Sequence, residues 1–367
     1  MKLAAWCYRY RIILIVDIVC LILAVILLSV SGSMQKTAYS QQEAKRWSAD
    51  KVPYHQVSVF WSDSENIGKE QISGVRAALQ RKLLDASFAE EGRSGRLWAD
   101  AYGAQTTDSA TRVSTVALSG KENIRIYGVG GSFFLFHPLK MVSGSCFSED
   151  DTMHDRVVID RETAWELFGG YDIAGQSVTI SGKNFVIAGV YEAGQGKTAL
   201  AAAGGKSSLF MDYSAFHKLY DSVPVTSYEA VLPNPVSTFA INSLQDAVGG
   251  ENAQVVLVDN TVRFSAKALL VRFSDLPGSF MRQNAVVFPT WENEMRALEW
   301  KLFLLLILRL IFQMPPLVTL IFAMVSLMRK YAGPLWHRFW YNLFEKIQKR
   351  FYERPVRVKS EFDDEDF

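Results

Sequence analysis

Several residue groups in this 367-residue chain have types that could do chemistry. Gly196-Lys197-Thr198 resembles the end of a phosphate-binding loop. That loop needs a glycine five residues before Gly196, and Tyr191 stands there, so a flexible surface loop within residues 194–208 is the better reading. Glu149-Asp150-Asp151, followed by His154-Asp155, offers hard oxygen ligands of the kind calcium prefers. It lacks the alternation and central glycine of a calcium loop, and reads as a solvated acidic loop. Ser145, in Ser143-Gly144-Ser145-Cys146, lacks the second glycine of a nucleophile elbow. His55, His137, His154 and His217 are scattered, without the paired spacing of a metal-binding helix. No catalytic constellation, cofactor site or metal site emerges.

Asp17 and Arg309 are different, because both fall inside long apolar runs. Ionisable groups within a membrane span are functional candidates by default. Residues 12–30 match the ~20 residues that cross a bilayer as a helix. Residues 300–328 form a longer run that also holds Gln313 and Pro315-Pro316. The first run exceeds the ~7–15-residue apolar region of a cleaved signal peptide, so it reads as an uncleaved anchor, with cleavage as the alternative. Asp17 is ~9 Å above Arg11 along the helix, whereas Arg309 is ~30 Å above Arg329. The two should therefore sit near opposite membrane faces. Arg309 is expected to reach outward along its own stem, or to meet another subunit.

Lys and Arg near the span ends set the orientation. Lys2, Arg9 and Arg11 precede the first span; Arg329, Lys330, Arg338, Lys346, Lys349 and Arg350 follow the second. The inner flanks are mixed, with Glu292, Glu294, Arg296 and Glu299 before span two. Both termini are expected in the cytoplasm of a plasma or inner membrane protein, with residues 32–298 outside. Cys146 is then the sole outside thiol, beside Cys7 and Cys20 at or in the membrane, so no intrachain disulfide staples the ectodomain. The formal charge of +1 argues against a nucleic-acid partner.

These groups need elements to hold them. Residues 32–51 read as a polar stalk, helical over 35–47. Residues 57–61 form a strand, and 67–88 a helix with Ile72, Val75, Leu79 and Leu83 on one face. Residues 90–96 read as a loop; 97–102, 111–118 and 124–129 as strands; 132–136 as a helical turn. Val157-Val158-Ile159 reads as a buried strand, and Asp160 as the N-cap of a helix over 161–168. Ala164, Trp165 and Phe168 share the expected buried face, and Gly169-Gly170 stop the helix. Residues 177–181 alternate as a half-buried strand, Gly182-Lys183-Asn184 is a turn, and 185–190 is a central strand. After residue 208 come a strand (209–211), a helix (213–220), a strand (228–232), a helix (236–248) and a strand (255–258), with 268–273 a further strand or helix. Two strand–helix–strand halves, residues 52–138 and 226–292, flank a middle block, 139–225. That predicts a ferredoxin-like, porter-like split βαβ lobe with a small α/β lobe inserted, an α+β domain between two transmembrane helices.

Gly144-x-x-Phe147-x-x-x-Asp151, then Val157–Asp160, then Leu167-Phe168-Gly169, Gly175 and the run ending at Gly189, resemble the MacB-like periplasmic core domain. That domain is the extracytoplasmic part of FtsX/MacB-type ABC-transporter permeases. The resemblance covers roughly residues 52–297 and is tightest over 126–191. It implies a non-catalytic membrane subunit that works with an ABC ATPase or an FtsX-like permease partner. A usual permease has three spans after this domain, and this chain has one, followed by a basic tail. A membrane-anchored sensor or ligand-binding module is therefore the competing expectation, and a membrane-anchored hydrolase a third.

The tail completes the pattern. Gly333-Pro334 should end the second span. Beyond it Leu335, Trp336, Phe339, Trp340, Leu343, Phe344, Ile347 and Phe351 share one face of a basic helix, which is expected to lie in the inner membrane interface. The same helix stands where the family has its coupling segment. The acidic end, residues 361–366, is expected to stay in solution.

Overall fold

The computed structural model describes residues 11–47, 52–88, 96–106, 113–115, 120–194, 196–249, 255–274, 282–283 and 286–352. Residues 90–95 of the expected loop at 90–96 and most of the expected strand at 111–118 lie outside them, as do Cys7 and the acidic end. The chain divides into two compact units, Ser29–Leu306 and the pair Met1–Leu28 with Ile307–Phe367.

Helices α1 (Arg11–Thr37) and α10 (Thr290–Leu327) run through both units. Both are long and apolar enough to cross a membrane. α10 continues through Pro315 and Pro316 without interruption. A π-helical turn, Met328–Ala332, then leads into α11 (Gly333–Tyr352). Pro334 thus stands in the first turn of α11, where a missing N–H costs nothing. The helical run therefore continues through Gly333-Pro334 rather than ending there as expected, with the π-helical turn as its irregularity.

The first unit is built on one mixed sheet. Its strands are β1 (Tyr54–Trp61), β2 (Ala99–Gln105), β3 (Val113–Ser114), β4 (Arg125–Gly131), β5 (Lys140–Gly144), β6 (Arg156–Asp160), β7 (Ser177–Ile180), β8 (Lys183–Glu192), β9 (Ser208–Asp212), β10 (Ser227–Pro233) and β11 (Val255–Asp259). The order is β11-β1-β10-β2-β4-β9-β6-β8-β7-β3, with β5 also on β8. Helices α3 (Lys69–Asp85) and α8 (Phe239–Ala247) connect β1 to β2 and β10 to β11. The order β11-β1-β10-β2, with every pair antiparallel, is the fourth-first-third-second ladder of a ferredoxin-like split βαβ. The strands of the middle block extend the same sheet through the antiparallel β2–β4 pair and the parallel β4–β9 pair.

Alternation along the strands fills two cores. Val57, Val59 and Trp61 of β1, Tyr228, Ala230 and Leu232 of β10, and Ile126 of β4 face one side. There they meet Ile72, Val75, Leu79 and Leu83 of α3 and Ala240 and Leu244 of α8, all buried. The opposite face, with Ala99, Ala101, Tyr127, Val129, Phe210 and Val231, is covered by α2 (Glu43–Trp47), by α4 (Phe133–Phe136) and by Trp291 of α10. The expected stalk helix over 35–47 is therefore three pieces: the end of α1, a 3-10 turn Tyr39–Gln41, and α2.

In the middle block, Asp160 caps α5 (Arg161–Phe168), accepting from the Thr163 N–H at 2.6 Å. Its other oxygen accepts the Ser208 N–H at 2.7 Å, tying the helix start to β9. Gly169 ends α5 with φ 67°, a left-handed cap that glycine adopts cheaply. The burial of this helix corrects the expected face. Ala164 and Leu167 are buried and Phe168 is half-buried, but Trp165 is 56% exposed and lies beside Tyr171. Eight residues allow only two turns, and Leu167, not Trp165, completes the inward stripe. The hairpin tip also moves: Ile180 pairs with Lys183, leaving Ser181-Gly182 as the turn. Lys197-Thr198 open a short helix, α6 (Lys197–Ala203), rather than a flexible loop. Helix α7 (Tyr213–Leu219) and helix α9 (Ala266–Val271) complete the set. α8 is shorter than expected, because Thr238 at its start takes φ 72°.

Candidate functional site

The sequence-predicted chemistry disperses. Within the acidic stretch Glu149 pairs with Arg76 and Asp151 with Arg156, while Asp150 is exposed to solvent. Arg76 also grips Asp100 through two bonds of 2.6 and 3.0 Å. His154 faces Asp212 at 3.2 Å. Among the described residues no three metal-ligating side chains converge.

Two of the sequence-predicted glycines do come together. Gly144 stands opposite Gly189 in the β5–β8 ladder, at an irregular register. A Cβ on Gly144 would lie 2.2 Å from the Ala188 carbonyl oxygen, and its φ is 67°. A Cβ on Gly189 would lie 2.8 Å from the Ser143 oxygen. Backbone approaches backbone here, and a side chain at either position would separate the strands. Phe147 is buried edge-on against Phe134, and Gly175 donates its N–H to the Ile187 carbonyl at 2.8 Å. These residues hold the block together; they present no reactive group.

The concentrated polar site lies elsewhere, in the turns of α10 before its apolar stretch. Glu292, Arg296 and Glu299 recur at helical spacing on one face of α10, and all are buried. Arg263, from the loop after β11, reaches this face. Its fork donates to both oxygens of Glu292 at 3.0 Å, and its Nε donates to Glu299 at 3.0 Å. The same guanidinium donates to Asn260 at 3.2 Å and to Gln41 at 2.9 Å. Arg272 adds a second bond to Glu299 at 2.9 Å, and Arg296 donates to Glu292 at 2.8 Å while lying over the Phe288 ring. Burial works against the charge on Arg263, but Glu292 and Glu299 outweigh it and hold the guanidinium more firmly protonated than usual.

A neighbouring set pins the segment after α1. Gln56 of β1 donates to the Ser40 carbonyl at 2.6 Å and accepts the Glu43 N–H at 3.1 Å. It also donates to Glu229 of β10 at 3.4 Å, and Glu229 lies 3.3 Å from His137. Trp291 packs its ring on His137, Phe133 and Tyr127. The segment that follows α1 and the start of α10 are thus fixed to the same face of the sheet. Glu292 and Glu299 are each bound by two guanidiniums, an arrangement that fixes the start of α10 against the loop after β11. Its trace in the sequence was the Glu292/Arg296/Glu299 periodicity, readable as a charged face; Arg263 and Gln41 left no local signal.

The second unit holds the remaining candidates. Asp17 is buried and accepts the Thr319 hydroxyl hydrogen at 2.7 Å. Arg309 is not its partner; it lies ~15 Å along α10 from Thr319. Phe339, Trp340 and Phe344 are exposed along α11, and the side chain of Trp336 lies outside the described set.

The sequence matches the MacB-like periplasmic core domain over residues 18–261. No curated protein matches the chain. Among solved structures it is similar to the periplasmic region of MacB from Actinobacillus actinomycetemcomitans, at 17% identity and a TM-score of 0.38, over 56% of this chain and 88% of that one. It is also similar to the extracellular domain of the noncanonic ABC-type transporter YknZ from Gram-positive bacteria, at 14% identity and a TM-score of 0.37, over 56% and 100%. The matched region ends two residues before Arg263 and more than half of the chain lies within it, so this protein belongs to the MacB-like periplasmic core domain family of ABC-transporter-type permeases.

Proposed function

We propose that the chain is a non-catalytic subunit of a permease complex, coupling a cytoplasmic ATPase or a fuller permease partner to its sheet domain. One observation carries this: the Arg263 guanidinium binds Gln41, just after α1, and Glu292 and Glu299, at the start of α10. Movement of either helix would reach the sheet through hydrogen bonds rather than dissipate in a slack linker. In this reading a porter-like lobe, residues 52–138 and 226–292, frames a smaller lobe, 139–225. α11 lies at the inner membrane interface and docks the driving subunit.

Affinity purification of the full chain from its native membranes tests the reading. A stoichiometric ATP-hydrolysing subunit should copurify and be lost on deletion of residues 335–367. Purification of the chain alone, without nucleotide hydrolysis, would contradict it.

The orientation, with both termini cytoplasmic, has its own probe. Cys146 is half-buried, and burial pushes its thiol up to about 11. A membrane-impermeant maleimide should therefore label Cys146 in intact cells slowly, and faster as pH rises. Labelling that needs permeabilised cells would reverse the topology.

The competing reading, a ligand-binding module, draws on one feature. A cleft of about 430 Å³ lies between the end of α1 and the loop after β11, lined by Gln35, Lys36, Gln42, Lys45, Thr261 and Phe264 among others. A ligand that protects Lys45 from acylation would favour it.

A further inference from the structure

We propose that α9 and the 3-10 turn after it, Arg272–Ser274, lie in the headgroup layer of the outer leaflet and dock the sheet domain on a lipid surface. The proposal rests on the reading above only in taking α10 as a membrane span. Leu270, Val271 and Phe273 are 47%, 71% and 52% exposed, three large apolar side chains within four residues. Phe273 shows what covers them. Its ring stacks on Phe303 of α10 at 4.7 Å between centroids, and Phe303 stacks on Trp300 at 5.9 Å. Both stand at the outer end of the apolar run 300–328. As a helix that run is ~43 Å long, against ~30 Å for a hydrocarbon core and ~40–45 Å with the headgroup layers. Its first turn therefore falls among the headgroups, where Trp is enriched. Phe273 shares that level, and exposed Leu304 continues the apolar surface from the turn down into the span.

The inward side of α9 holds it there. Leu269 is buried, Ser265 caps the helix by accepting the Ala268 N–H at 3.2 Å, and Arg272 donates to Glu299 at 2.9 Å. The outward side carries Leu270 and Val271 with Lys267, which is also exposed. An apolar face with a cation beside it suits the boundary between acyl chains and lipid phosphate. A second copy or a protein partner would also cover apolar residues, but neither explains why the patch runs on into the exposed surface of a span. Docked in this way, α9 ties the height of the domain above the bilayer to the position of α10.

The full chain in lipid nanodiscs, with an environment-sensitive fluorescent amino acid in place of Val271, tests this. Lipid carrying a nitroxide at the headgroup boundary should quench the emission by about half, and iodide in the water should quench it little. The same fluorophore in place of Ser64 should behave oppositely. Ser64 is exposed just after β1, whose Phe60 meets Phe288 ahead of α10, and the start of α10 is ~20 Å along the helix from Phe303. Leu270→Asp, beside the Val271 fluorophore, should exchange lipid quenching for iodide quenching, since a carboxylate does not enter the acyl boundary. Leu84→Asp, on an exposed position of α3, should leave the Val271 pattern unchanged. Iodide quenching at Val271 with none from the lipid would overturn the proposal. Emission shielded from both quenchers would overturn it too, because protein would then cover the patch. So would lipid quenching indifferent to Leu270→Asp, because α10 alone would then set the height. Release of the chain from native membranes by alkaline carbonate would instead overturn the span reading beneath it.

Discussion

Two regions of the domain, the apolar core under α3 and α8 and the charged cluster beside the start of α10, are held by different physics. Under α3 and α8 the contact is apolar: Val57, Val59, Trp61, Ile72, Leu79 and Leu244 are buried with scarcely a polar atom among them. Where the segments flanking the spans arrive, it is ionic: Arg263, Glu292, Glu299 and Arg296 are buried with Gln41 and Asn260. Apolar packing is non-directional and scales with area, so it stabilises a fold but tolerates small slips. A buried guanidinium bonded to four side chains tolerates none, and adds little net stability over an apolar substitute of the same shape. The difference teaches that the α3/α8 core sets whether the domain folds, and the ionic cluster sets how the Gln41 turn and the start of α10 are held to the loop after β11.

The largest expected effect comes from breaking the ionic cluster on one side only. Arg263→Ala leaves Glu292 and Glu299 buried with fewer partners. Loss of one member of a buried network costs about 3–5 kcal/mol. Thermal unfolding of the full chain in detergent should show it. A melting temperature equal to wild type would mean that water already reaches the cluster.

An apolar site gives the contrast. Leu167→Ala removes a buried side chain of α5 and should cost about 2–5 kcal/mol. Trp165→Ala, two residues earlier and 56% exposed, should stay within about 0.5 kcal/mol. Equal losses from both would show that Trp165 is covered in solution.

How much of this the sequence disclosed follows from the same division. Local physics was legible: the Asp160 cap, the bounds of α5, the alternation of β7, the fourth-first-third-second ladder implied by two strand–helix–strand halves. Trp165 was misjudged because helical spacing gives the stripe but not its centre, and a two-turn helix leaves a wide choice. β5 escaped notice because Lys140, Ser143 and Gly144 give it no apolar alternation; it exists through pairing with β8. The ionic site was the least legible. Gln41 and Arg263 are 222 positions apart, and nothing local in either announces the other.

Removing the clash of charges altogether sharpens the comparison most. In Arg263→Met with Glu299→Leu, Glu292 keeps its bond to Arg296, and Arg272, already 28% exposed, turns to solvent. Glu292 loses its two Arg263 bonds, and Gln41 and Asn260 each lose a partner at about 1 kcal/mol. The double variant removes one buried carboxylate together with its guanidinium, so it should be closer to wild type in stability than Arg263→Ala is. If the ionic cluster exists to fix position, that loss should be local. Amide hydrogen exchange should speed up in α2 and the Tyr39–Gln41 turn, because their tie to α10 is gone. Amides of β1 and β10, held by their ladder and by the apolar core, should exchange as before. A double variant as unstable as Arg263→Ala would mean that the charges are not mutually compensated. Unchanged exchange in α2 would mean that Gln56 alone seats that segment, and that Arg263 merely closes the end of the domain.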